Sequence, residues 1–124
     1  MTNTGKRKFD LEDRTTVFAD RIIRFSRSVP NTLENKPVRS QLVRSGTSIG
    51  ANYCEADEAE SKKDFLHKLG ICKKEARETK YWLRVIVTAN PGLRILGEEL
   101  WNEAHELNLI FAAIILKGKN VTSR

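Results

Sequence analysis

The sequence predicts an all-α protein, folded as an antiparallel up-down-up-down four-helix bundle. Three observations carry that prediction. Apolar residues recur at spacings of three and four through most of the chain, the period of a helix that keeps one face toward a partner. Helix-breaking residues gather at Pro30, Pro37 and Asn90-Pro91-Gly92, which divides the chain into long segments joined by short loops. No segment alternates apolar and polar residues in the way a half-buried strand would.

The first helix starts at about Asp10, an N-cap with Asp13 three residues on, and runs to Val29 before Pro30. Leu11, Phe18, Ile22, Phe25 and Val29 form its inner face. A polar loop, 31–35, leads into the second helix, where Pro37 falls in the first turn and its missing N–H costs little. This helix reaches about Asp57 and turns Leu42, Gly46, Ile49, Tyr53 and Ala56 inward. Gly46 and Gly50 are unfavourable in a helix interior by about 1 kcal/mol each, so close approach of another backbone is expected there. Ser61 and Asp64 cap the third helix, whose seam is Phe65, Leu69, Cys72, Ala76, Thr79, Leu83 and Ile86. The fourth runs from about Ile95 to Lys117 with Leu100, Ala104, Leu107, Phe111 and Ile114 as its seam.

At 124 residues the chain is one domain: a basic arm over 1–9, the bundle over 10–117 and a frayed tail over 118–124. Cys54 and Cys72 form no C-x-x-C pair and read as buried thiols of a cytosolic protein. The longest apolar run, Leu107 to Leu116, is about half of a membrane span, so a soluble, cytoplasmic protein is expected.

Several chemistries are excluded. A di-metal carboxylate site needs Glu-x-x-His on two helices, whereas this chain offers Asp64-x-x-His67 and an out-of-register His105. Ser45 to Gly50 lacks the G-x-x-x-x-G-K-[ST] pattern and follows no strand. Neither cysteine has a histidine partner visible in the sequence. The expectation is no enzyme, no metal and no cofactor.

Charge is distributed unevenly. The net charge is +6, and the segment Ser61 to Thr88 holds eight basic and three acidic residues, against one and four in Ile95 to Lys117. Lys73, Arg77, Lys80 and Arg84 follow the core seam by one position in the third helix and form a cationic stripe turned by about 100°. Arg21 and Arg24 recur on one side of the first helix. These six residues point to nucleic acid, RNA or DNA, held through its phosphates with little sequence preference, since no aromatic residues interleave with the cations. An acidic partner protein would suit the same charges. Helices two and three turn near Ala59 and Glu60, which places Arg44 near Glu75 and Arg39 near Glu78 to Lys80, a salt-bridge layer that would set register. Surplus apolar surface at Trp82, Val85, Trp101, Ile110 and Ile115 predicts a subunit interface.

The run Leu42-Val-Arg-Ser-Gly-Thr-Ser-Ile-Gly-Ala-Asn-Tyr-Cys-Glu-Ala56, then Phe65 and Leu69, then Lys74-Glu-Ala-Arg-Glu-Thr-Lys-Tyr-Trp-Leu83, resembles the bacterial four helix bundle protein family. These are also called 23S rRNA intervening-sequence proteins and are similar to the accessory variability determinants of diversity-generating retroelements. The resemblance spans about Phe9 to Lys119. It implies an antiparallel bundle assembled into a homopentameric ring and, through the retroelement relatives, a basic surface that binds nucleic acid and a reverse transcriptase.

Overall fold

Capping decides where the helices begin. In the computed structural model, which describes residues 10–122 and side chains through 119, the Asp10 carboxylate accepts from the Asp13 N–H at 3.2 Å and opens α1, Leu11–Ser28. The Ser61 hydroxyl accepts from the Asp64 N–H at 3.0 Å and opens α3, Lys62–Ala89. Each satisfies a donor that the first turn leaves without a helical partner. Between them lies α2, Asn35–Asp57, and a 3-10 turn at Pro91–Leu93 leads into α4, Arg94–Thr122. There is no strand among the described residues, and no helix among them is long and apolar enough to cross a membrane.

The four helices form a bundle in which α2 packs on α1 and α3, α3 packs also on α4, and α1 meets α4 more sparsely. Phe18, Ile22, Leu42, Ile49, Leu69, Leu83, Ile86, Leu107 and Phe111 are fully buried, each adding about 1.5–3 kcal/mol by leaving water. Contacts of α2 with α3 and its C-cap run from Asn35 with the capping Asn90, through Ser45 with Thr79 and Ile49 with Cys72, to Glu55 with Lys68. Residue numbers thus rise along α2 as those of their partners fall along α3.

Gly46 and Gly50 do admit a neighbouring helix. A Cβ at Gly46 would stand 2.9 Å from Ile22 Cγ2, and one at Gly50 would stand 3.0 Å from Thr15 Oγ1. The missing side chains let α1 lie against α2. Gly70 differs, because among the described residues no neighbour lies within 4 Å of the place its Cβ would take. Its unfavourable helix propensity, about 1 kcal/mol relative to alanine, has no packing counterpart.

Polar groups at the ends add to the frame. Asn35 and Asn90 exchange amide hydrogen bonds at 3.2 and 3.1 Å, and their remaining donors reach Pro30 O and Ile86 O. The loop expected over 31–35 is therefore shorter, with Asn35 helical and buried. At the other terminus α4 continues to Thr122, past the boundary expected at 117. Gly118 continues the helix there, and Leu66 of α3 lies so close that a Cβ would stand 2.8 Å from its Cδ2. The basic arm expected over 1–9 lies outside the described residues.

Cys72 is buried as expected, and burial pushes its thiol up to about 12. Cys54, expected to be buried, is exposed on α2, because the inward stripe passes through Tyr53 and Ala56 and leaves position 54 outside it. Ellman's reagent at pH 8 is therefore expected to label one thiol rapidly in the native protein and two in denaturant. Two rapid thiols under native conditions would contradict this core.

Candidate nucleic-acid interface

Helix α3 carries opposite charges on its two flanks. On the flank toward α2, Arg44 Nη1 donates to Glu75 Oε1 at 3.3 Å and Arg44 Nη2 to Glu78 Oε2. Trp82 Nε1 donates to that same Glu78 oxygen at 2.9 Å. The Trp82 indole, then the Arg44 guanidinium, hold the Glu78 carboxyl below its usual range. Beneath them the Ser45 and Thr79 hydroxyls lie 2.9 Å apart in the core.

A carboxyl that titrates lower in the folded chain than in the unfolded one adds stability that is present above the unfolded value, about 4.3. That stability is lost as pH falls through the folded value. Glu78→Gln keeps the acceptor for Trp82 and removes the charge. It is expected to lower stability by up to about 1 kcal/mol at pH 7, a modest figure because the pair is partly solvated. The gap should narrow as pH falls below about 4.3; a gap that stays constant from pH 7 down to the acid limit of the fold would remove the ionic explanation.

Arg39 takes no part in this layer. The sequence places it near Glu78 to Lys80, but its guanidinium reaches Val29 O at 3.4 Å and Asn31 Oδ1 at 3.3 Å. One and a half turns before Arg44, it lies beside the α1–α2 loop, whose unpaired carbonyl draws it.

On the other flank Lys73, Arg77 and Arg84 are exposed and make no ion pair with another described residue. Lys80, from the same stripe, is half-buried against α4. Its Nζ lies 3.0 Å from His105 Nδ1 and 5.1 Å from the centroid of Trp101, which stacks on His105 at 5.1 Å. An ammonium can only donate, so His105 accepts at Nδ1 and carries any single ring proton on Nε2. Arg84 borders the groove beside Trp101 together with Glu98.

Arg21 and Arg24 are not brought to this stripe. They line a cleft between α1 and α4 with Leu96 and Glu99, and Arg24 pairs with Asp20 at 2.9 Å. Helix α1 packs on α2 and α4 and has no extensive contact with α3, so Arg21 and Arg24 are not direct neighbours of the α3 cations.

Of the residues expected at a subunit interface, Trp82, Trp101, Ile110 and Ile115 pack partly against the core, and Val85 is half-buried. Tyr81, Leu109 and Leu116 are more exposed than any of them, at 58%, 54% and 62%.

Arg14 is a site residue that the sequence did not single out. Its guanidinium forks onto Glu103 at 2.7 and 2.9 Å and reaches Glu106 at 3.1 Å. The bond to Glu103 is the largest influence raising its pKa. A signal was present, because Glu103 and Glu106 lie one turn apart on the helix with excess negative charge. Among the described residues no group of three or more His, Cys, Asp and Glu could hold a metal ion.

Fold and side-chain arrangement define a small all-α protein of the four-helix-bundle class. The chain belongs to the family of the 23S rRNA-intervening sequence proteins, whose model matches residues 7–113. It is similar to a solved structure from Bacteroides thetaiotaomicron VPI-5482, described as a protein of unknown function from the S23 ribosomal protein family. The two share 38% identity with a TM-score of 0.79, over 86% of this chain and 98% of the other. No curated protein matches the chain.

Proposed function

We propose that the protein is a non-enzymatic, cytoplasmic bundle that binds RNA or DNA through phosphates along α3, with little sequence preference. One observation carries this reading: Lys73, Arg77 and Arg84 stand exposed in line, while two of the three acidic groups of the same helix, Glu75 and Glu78, are drawn to Arg44 on the opposite flank. Such a line can track a phosphate backbone, and counterion release would drive the association.

The proposed arrangement is antiparallel, up-down-up-down, supported by the opposed order of the α2 and α3 contacts. The chains are proposed to assemble into a homo-oligomer, a pentameric ring, through the apolar residues left on α3 and α4. Repetition of the α3 line around a ring would favour a long polyanion over a small one. Val85→Glu tests the assembly, since Val85 is the one expected interface residue not packed against the core cluster. The variant should give a smaller mass by light scattering; an unchanged mass would overturn that assignment.

The binding test is titration of structured RNA and duplex DNA at about 50 mM and about 200 mM salt. Binding that weakens steeply with salt supports the proposal. Absence of binding at the lower salt would reject it and favour a partner protein on the same residues, either an acidic one or a reverse transcriptase.

A further inference from the structure

Where α3 begins and α4 ends, a cavity of about 390 Å³ opens between the two helices. Lys63, His67, Lys73 and Lys74 line it from α3 and Lys119 from α4, and among the described residues no carboxylate lines it. Its floor is apolar, formed by Leu66, Ile71 and Ile115. Lys63, His67, Gly70 and Lys74 follow one another at spacings of four, three and four, so they lie along one line of the helix.

Gly70 gives this cavity its distinctive shape. At Gly46 and Gly50 a neighbouring helix occupies the space that a side chain would take, whereas at Gly70 no described residue does. A residue unfavourable in a helix, with no packing reason to be there, keeps the middle of a cationic cavity open.

We propose that this cavity binds a nucleotide, with its phosphates among the lysines and its base on the apolar floor beside Gly70. The charge calls for a phosphorylated ligand, because Lys63, Lys73 and Lys74 line one cavity with no carboxylate among its described lining residues. The floor calls for a flat, largely apolar part, which a bare phosphate lacks. The volume falls within the range of small-ligand sites, about 300–1,000 Å³. Free nucleoside triphosphate and the 5′-terminal nucleotide of an RNA share this chemistry. The inference goes beyond phosphate binding along α3; the two sites share Lys73 alone.

Calorimetric titration tests it with three probes: ATP, inorganic tripolyphosphate, and a short single-stranded RNA carrying either a 5′-triphosphate or a 5′-hydroxyl. The parent protein should bind ATP more tightly than tripolyphosphate. Gly70→Leu fills the cavity without changing charge, and Lys63→Glu with Lys74→Glu reverses charge without filling it. Each should weaken ATP binding by about tenfold or more. Gly70→Leu should melt no lower than the parent, because leucine favours a helix and meets no neighbour. A marked preference for 5′-triphosphorylated RNA over ATP identifies the RNA end as the ligand, and equal affinity identifies the free nucleotide. No ATP binding by the parent, tripolyphosphate binding as tightly as ATP, or unchanged affinity in Gly70→Leu would each overturn the proposal. Duplex DNA serves as the separating control. Failure of the α3 reading appears as no duplex binding by the parent, whereas failure of this inference appears in the ATP titrations with duplex binding intact.

Discussion

Reversing Lys73, Arg77 and Arg84 together to glutamate is expected to weaken duplex DNA binding by about a hundredfold or more. The slope of log affinity against log salt should become shallower by about three, one for each phosphate that is no longer neutralised. All three side chains are exposed and lack acidic partners among the described residues, so the helix should retain its structure. Circular dichroism and thermal melting would check this. Lys80 is deliberately left intact, because its ammonium lies against His105 and over Trp101. Changing it would disturb the packing of α3 on α4 and confound the removal of charge with a packing defect. If the triple variant keeps the parent's affinity and salt slope, phosphates are not read along α3.

The second large effect is expected at Phe111. This α4 side chain is fully buried, and its ring lies 6.2 Å from that of Tyr53 on α2, so it joins helices that share no extensive contact of their own. Phe111→Ala removes the ring from the middle of a close-packed interior that can only partly collapse around the gap. The expected loss is about 3–5 kcal/mol, which for a domain of this size lowers the melting temperature by roughly 10 °C or more. Phe65→Ala is the useful comparison, because Phe65 is only half-buried near the start of α3 and should cost clearly less. Equal losses at the two positions would mean that the core is not centred where Phe111 meets Tyr53.

Much of this architecture was legible because helical periodicity is a local property. Leu11, Phe18, Ile22, Phe25 and Val29 lie on one face of α1 by spacing alone, and all five are buried. Asp10 and Ser61 could be recognised as caps because each needs only the backbone N–H three residues ahead. Gly46 and Gly50 signalled close approach, and Ile22 and Thr15 provide it.

Long charged side chains were harder to place. The guanidinium of Arg39 has many rotamers and several acceptors within reach, so its choice of Val29 O and Asn31 depends on where the α1–α2 loop passes. Arg14 finds Glu103 and Glu106 across 89 and 92 residues of chain, a separation at which spacing carries no information. Cys54 shows a related limit. Its neighbours Tyr53 and Ala56 turn inward, and only the angular width of the buried stripe decides that position 54 faces solvent.

The sequence by itself determined the helices, their caps and the face each one buries, because these follow from interactions within a few residues along the backbone. Tertiary structure alone decided which helices became neighbours, and therefore that Arg21 and Arg24 lie apart from the α3 cations while Lys80 is held by α4. It also brought Lys119 to the cavity around Gly70. Charges act through space rather than along the chain, so their grouping into sites appears only once the packing of α1, α3 and α4 is set.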